Sequence, residues 1–201
     1  MHWSGRRSRA QDSGARSVES ASSSSRSVAL AAKGLRVEPL NGRRHDRAGF
    51  DCGVESLDVY LKAQASQDVR RKANAVFVLV AADVPRTILG YFTLCSFGLA
   101  PGVVPDEAKK HLPRYPLISA TLLGRLAVAR SHQGQGLGGV LLARALRLAY
   151  ENAHIVGSSM VVVDALDAQA ARFYAAHGFI RLPESMRLVL PMATLAQQFA
   201  R

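Results

Sequence analysis

The chain has 201 residues, 48% hydrophobic and 20% charged, with 26 Lys/Arg against 15 Asp/Glu for a formal charge of +11. That is enough for one packed domain and a tail, and no apolar run approaches the roughly 18–20 residues of a membrane-spanning helix, which leaves a soluble globule. Residues 1–47 carry ten Lys/Arg against four Asp/Glu (+6) and residues 48–201 sixteen against eleven (+5), so the body is basic without its tail and suits a polyanionic or phosphate-rich partner.

Residues 1–30 hold ten serines and five arginines, including the run ASSSSRS, and few large apolar side chains. Such a composition supports no core, so residues 1–34 are expected to form a disordered tail and residues 35–201 the folded domain. The Arg6–Arg7 pair is not followed by an apolar stretch and does not make an export signal. A transit peptide, a tag remnant or an over-called start codon remain as origins of the tail, Asp12 and Glu19 counting against the first. From Gly49, Leu57, Tyr60, Leu61 and Ala65 recur at helical spacing. The β-branched and aromatic runs 75–82 and 87–97, separated by DVPR, read as a hairpin. A short helix is expected between the prolines of 105–113, then a long strand over 118–130. Residues 137–152 read as a mostly buried helix with a narrow polar stripe of Arg144, Arg147 and Glu151, and 158–166 as a buried strand. Asp167 is placed to cap a helix that stops at Gly178. A last strand over 187–192 and a terminal helix over 193–200 complete an α/β mixed-sheet domain without internal repeats. Cys52 and Cys95 have no His or Cys at metal-ligand spacing and are expected as free thiols of a reducing, cytoplasmic compartment, so no metal is expected.

The stretch RSHQGQGLGG (130–139) sets four glycines in six positions between a strand and a helix. Each glycine costs about 0.5–1 kcal/mol of backbone entropy in regular structure, and a plain connector needs only one. A glycine loop opening a helix presents amide hydrogens and the helix dipole to an anion. Gly134, Gly136 and Gly139 match the dinucleotide fingerprint G-x-G-x-x-G, and Asp164 stands near its acidic position. Three features oppose that reading. Five residues, Arg130 to Gly134, separate strand and turn glycines, only 37 residues follow Asp164, and the preceding strands form a hairpin.

Gln133-x-x-Gly136-x-Gly138 instead resembles the acyl-CoA loop of the GNAT family of N-acetyltransferases. The stretches FDCGVESLDVYL, RRKANAVFVLV, ILGYFTLC, LGRLAVARSHQGQGLG and VDALDAQAARFYAAHGF, spread over residues 36–192, are similar to the acetyltransferase toxins of type II toxin–antitoxin modules. The resemblance implies a GNAT fold, a mixed central sheet with antiparallel N-terminal strands and helices on both faces. It implies acetyl-CoA as cosubstrate, held by Gln133, Gly134, Gln135, Gly136, Leu137 and Gly138 at its diphosphate and by main-chain groups of Leu126, Ala127 and Val128 along its pantetheine arm. Phe173 is expected to pack beside it. The N–H of Val128 is assigned to the thioester oxygen, a contact of a kind that stabilises a developing oxyanion by about 3–4 kcal/mol. Tyr174 matches the family's tyrosine that protonates the departing thiolate, the alternative being a plain core aromatic.

No general base is evident. A lysine amine (about 10.4) needs one, whereas an α-amine (about 7.7–8.0) is partly neutral already, which suits the aminoacyl-tRNA that this branch acetylates. His132 and His177 are read as solvated bystanders. Arg70, Arg71, Lys72 and Arg125 are candidates for substrate contact, beside the basic stretches Arg43–Arg44–Arg47 and Lys109–Lys110–His111–Arg114. Ala129 departs from the branch, which commonly has Asp there. The resemblance further implies a ribbon–helix–helix antitoxin partner and homodimers. An acetyltransferase for a small or protein amine and an inactive, basic nucleic-acid-binding module are the alternatives, separated from the toxin by acceptor preference and by turnover.

Overall fold

The computed structural model describes residues 34–110, 112 and 115–200, so the expected tail lies, apart from Gly34, outside the described residues, as do His111 and Arg114. Seven strands form one sheet in the order β1-β2-β3-β4-β5-β7-β6. They are β1 (Leu35–Pro39), β2 (Ala75–Ala81), β3 (Gly90–Leu99), β4 (Ile118–Val128), β5 (Met160–Asp164), β6 (Ile180–Arg181) and β7 (Arg187–Pro191). β2, β3 and β4 are antiparallel, β4 and β5 parallel, and β7 antiparallel to both its neighbours, so the sheet is mixed as expected. The sequence reading did not find β1 or the two-residue β6.

Helical segments cover both faces. α1 (Glu55–Val59) and α2 (Ala65–Arg71) are joined by a π-turn over Tyr60–Gln64. Tyr60, Leu61 and Ala65, at the helical spacing read from the sequence, bury against Val76, Val78, Tyr91 and Ala127. A π-turn inserts one residue and releases carbonyls from the regular ladder. Here the Arg47 guanidinium donates to the carbonyl oxygens of Lys62 (3.0 Å) and Leu61 (3.5 Å).

On the opposite face lies α4 (Leu137–Val156), whose Leu141 side chain presses so close to Gly90 that a Cβ there would come within 2.7 Å of it. The expectation that most of residues 137–152 are buried is corrected: one stripe, Leu137, Leu141, Leu142, Ala145, Leu146 and Ala149, is buried, while Ala143, Arg147, Glu151 and Asn152 are exposed. The helix also runs past the expected end to Val156, and Ile155 and Val156 in its last turn are exposed. α5 (Ala168–Ala176) starts as expected, with Asp167 Oδ1 accepting from the Ala170 N–H at 2.7 Å, and ends with Gly178 in the left-handed region. The helix between the prolines shortens to α3 (Asp106–Lys109), and α6 (Met192–Phe199) closes the chain. Cys52 and Cys95 are free thiols. Among the described residues no helix is long and apolar enough to cross a membrane.

Candidate active site

The site begins at an irregularity in the sheet. β3 and β4 pair regularly until Thr93 opposes Arg125 and Leu94 opposes Leu123, which leaves Gly124 as the extra residue of a β-bulge. β4 meets β5 only from Ala120 to Leu123; beyond that the two parallel strands part, and Arg125 to Val128 keep β3 as their single strand partner. The result is a cleft of about 440 Å³, walled by the free edge of β4, the residues before α1, the end of β5 and α5.

The register decides what that edge offers. The Ala129 N–H donates to the Leu89 carbonyl at 2.8 Å, continuing the pairing of Val128 with Gly90 and Ala127 with Tyr91. Hydrogen-bonded and non-hydrogen-bonded pairs alternate along an antiparallel ladder, so Arg125, Ala127 and Ala129 bond toward β3. The amides of Leu126 and Val128 therefore point the other way, toward the cleft, which can accept an extended chain as one more strand. Of the cofactor-binding candidates on β4, Leu126 and Val128 offer main-chain groups, while Ala127 lines the cleft with a buried side chain.

The glycine loop follows directly. Gly134 and Gly136 adopt φ of +74° and +81°, and no atom lies within 4 Å of where their Cβ would be, so the main chain faces open space. Gly136 precedes the 20-residue α4, whose first turn has no side-chain cap and no acidic residue, leaving dipole and amides available to an anion. A Cβ at Gly138 would meet the Phe173 ring at 3.8 Å, an ordinary contact. Leu137 is buried, so its side chain serves the core and only its main chain can serve the loop. Gln135 is exposed and donates weakly to the Ser131 carbonyl at 3.5 Å. Gln133 turns inward: its Nε2 donates to the carbonyls of Cys52 (2.9 Å) and Val128 (3.0 Å), tying the FDCG segment to the end of β4. That role was not legible from the loop pattern. These donors and the open edge fit a ligand with a diphosphate and an amide-bearing arm.

α5 contributes Phe173 and Tyr174 to the cleft wall. Tyr174 is 7% exposed and packed edge-on against Phe173 and Phe179, and burial pushes its hydroxyl up to about 12, so it keeps its proton at neutral pH. Arg125 also lines the cleft, its guanidinium carbon 3.6 Å above the Tyr60 ring. Arg70, Arg71 and Lys72 do not join the site; they lie exposed at the end of α2. His132 and His177 also stay out of the cleft lining, His132 paired with Ser131 Oγ and His177 Nδ1–H donating to the Phe173 carbonyl. Sequence reasoning missed the lining residues Cys52, Val54 and Leu57, which precede or begin α1, and Leu166 and Gln169 on the far wall. Asp164, weighed there as a dinucleotide ligand, instead holds the Arg187 guanidinium through both oxygens at 2.6 and 2.9 Å. Burial lifts the Cys52 thiol to about 11, which keeps it an inert wall rather than a nucleophile.

The family model described as an acetyltransferase (GNAT) domain matches residues 74–181. The chain belongs to the GNAT acetyltransferase family. It is 28% identical over 167 residues to a probable toxin TacT of Sinorhizobium fredii, covering 79% of this chain and 92% of that one. It is 30% identical over 148 residues to a tRNA-acetylating toxin of Mycobacterium tuberculosis, covering 73% and 86%. Among solved structures, a tyrosine-to-phenylalanine mutant of KacT superposes with a TM-score of 0.77 at 32% identity, over 82% of this chain and 99% of that one. AtaT complexed with acetyl-methionyl-tRNA superposes with a TM-score of 0.76, also at 32% identity and the same coverage.

Proposed function

We propose that this GNAT enzyme moves the acetyl group of acetyl-CoA onto the α-amine of aminoacyl-tRNA and so acts as the translation-blocking toxin of a toxin–antitoxin module. The observation that carries the reading is the opened β4 edge running into an uncapped glycine loop, beside a protonated tyrosine and in a cleft whose carboxylates are engaged. Relatives of this chain include a tRNA-acetylating toxin and AtaT, the latter solved with acetyl-methionyl-tRNA and, with its antitoxin, with acetyl-CoA.

In this reading Gly134 to Gly138 hold the diphosphate with main-chain amides, and Leu126 and Val128 hold the pantetheine arm as an added strand. Acetyl-CoA supplies an activated acetyl group as a thioester. The Val128 N–H donates to the carbonyl oxygen on which negative charge gathers. The Tyr174 hydroxyl donates to the sulfur that leaves, and the proton given up by the amine passes to solvent. The two carboxylates of the cleft are engaged, Asp164 by Arg187 and Asp167 by the first turn of α5, so neither side chain serves as base. A neutral α-amine needs none. The protein acts in the cytoplasm as a homodimer and is neutralised by an antitoxin with a ribbon–helix–helix half, a partnership supported by AtaT having been solved with the C-terminus of the antitoxin AtaR.

The test offers radiolabelled acetyl-CoA with charged tRNA, with deacylated tRNA and with free amines. Label on the α-amine of charged tRNA alone is expected. Label on free amines in preference would make this an acetyltransferase of small molecules, and tight acetyl-CoA binding without turnover would leave a binding module.

A further inference from the structure

The π-turn, Tyr60 and Arg125 make a device that the transfer chemistry above does not use. Tyr60 is 2% exposed and held at three points: its hydroxyl donates to Asp68 Oδ2 at 3.0 Å, its ring lies near-parallel to that of Tyr91 with centroids 6.3 Å apart, and the Arg125 guanidinium carbon sits 3.6 Å over it. Asp68 is fixed in turn by the Asn74 amide at 2.9 Å. The Arg125 guanidinium thus lies on a rigid aromatic face, on the strand whose next residues offer the cleft-facing amides. Among the described residues no carboxylate stands within 4.0 Å of it. Arginine side chains carry a permanent charge in proteins.

We infer that Arg125 is the electrostatic element that keeps the acceptor amine in its unprotonated, nucleophilic form, doing by fixed charge what a general base does elsewhere. The inference rests on the acetyl-transfer reading of this same cleft. A like charge a few ångströms away disfavours an ammonium ion, and at roughly 6 Å in a partly buried site the effect amounts to one or two pH units, about 10- to 100-fold in the neutral fraction. The carboxylates facing this region oppose it in part and hold the shift to the lower end of that range, about one pH unit. Asp164 of β5 is neutralised by Arg187 of β7, whereas Asp167 at the start of α5, Asp68 of α2 at the Tyr60 hydroxyl and Asp58 of α1 at the Cys52 N–H are bonded to neutral donors and keep their charges. Cys52, Tyr60 and Tyr91, together with Cys95 of β3 and Tyr174 of α5, are all pushed upward by burial and remain neutral.

The test uses the full chain and an aminoacyl minihelix whose amino acid is joined by a stable amide, so that alkaline pH does not strip it. The midpoint of kcat against pH should lie about one unit below the solution midpoint of the free acceptor's amine for the wild-type chain, rise to it in Arg125→Gln, and stay low in Arg125→Lys. Calorimetry of the same acceptor on the enzyme–CoA complex, in buffers of different ionisation enthalpy, should show fewer protons released by Arg125→Gln near neutral pH. A wild-type midpoint equal to that of the free amine overturns the inference even if the variant does not fold. So does a uniformly slower Arg125→Gln with an unmoved midpoint, which would make Arg125 a binding or packing residue. Absence of any transfer to the acceptor would fail the acetyl-transfer reading instead.

Discussion

Replacing Tyr174 by Phe removes one hydroxyl and keeps the ring between Phe173 and Phe179, at centroid distances of 5.3 and 5.5 Å. Burial holds that hydroxyl at about 12, whereas a leaving thiolate reclaims its proton at about 8.5, so complete transfer is uphill by about 3.5 pH units, or about 5 kcal/mol. Tyr174 is therefore expected to act chiefly by a charge-assisted hydrogen bond to the sulfur as charge builds, with solvent completing protonation. Such bonds are worth about 1.5–3 kcal/mol, so kcat should fall about 10- to 150-fold in Tyr174→Phe, toward the low end of the range for general acids. KM for acetyl-CoA should stay within about threefold and the thermal midpoint should not drop, because the aromatic packing survives. The assay is steady-state acetylation of charged tRNA at several acetyl-CoA concentrations, run beside a thermal melt. Wild-type kcat in the variant, or a loss matched by a collapse in melting temperature, would refute the reasoning.

Gln133→Met should cost about 1–3 kcal/mol by leaving the Cys52 and Val128 carbonyls without their donor, and should weaken coenzyme A binding, as urea melts and calorimetry would report. Gly136→Ala forces an L side chain to φ +81° and should cost about 1–2 kcal/mol, whereas Gly138→Ala, with only the Phe173 ring 3.8 Å away, should leave thermal stability unchanged or slightly higher. Glu38 is held below the usual carboxylate range by the hydrogen bond from His45 and by the charges of Arg36 and Arg44. Its stabilisation is thus present above about pH 4.3 and lost as pH falls through the lower folded value, so Glu38→Gln should flatten the drop in urea midpoint between pH 6 and pH 3. Exchanging Arg70, Arg71 and Lys72 together for Gln should weaken tRNA binding about tenfold at low salt and shallow its salt dependence, with coenzyme A affinity unmoved; an unchanged salt slope would exclude them as phosphate contacts.

Strands β2 to β5 and helices α4 and α5 were legible because each is a local pattern: Val76, Val78 and Val80 alternate, and Asp167 and Gly178 bracket a helix. The loop glycines were legible for the same reason, since positive φ and open approach are requirements met residue by residue. What escaped depends on distant partners. The π-turn keeps nearly the same apolar spacing at Tyr60, Leu61 and Ala65, and only the Arg47 clamp on freed carbonyls betrays it. The parting of β4 from β5, which makes the cleft, has no signature in either strand alone. Asp164 and Arg187 stand 23 residues apart, and Gln133 and Cys52 stand 81 apart, so neither contact is written in a motif. β6 has two residues, too few for alternation to register.

The central claim, a diphosphate on the glycine loop with its arm laid along β4, is tested most directly by backbone amide exchange with and without coenzyme A. Slower exchange is predicted at Leu126, Val128 and the loop amides through Gly138, with Arg125 and Ala127, already bonded to β3, unchanged. Exchange unaltered at Leu126 and Val128, or slowed only outside this cleft, would contradict it.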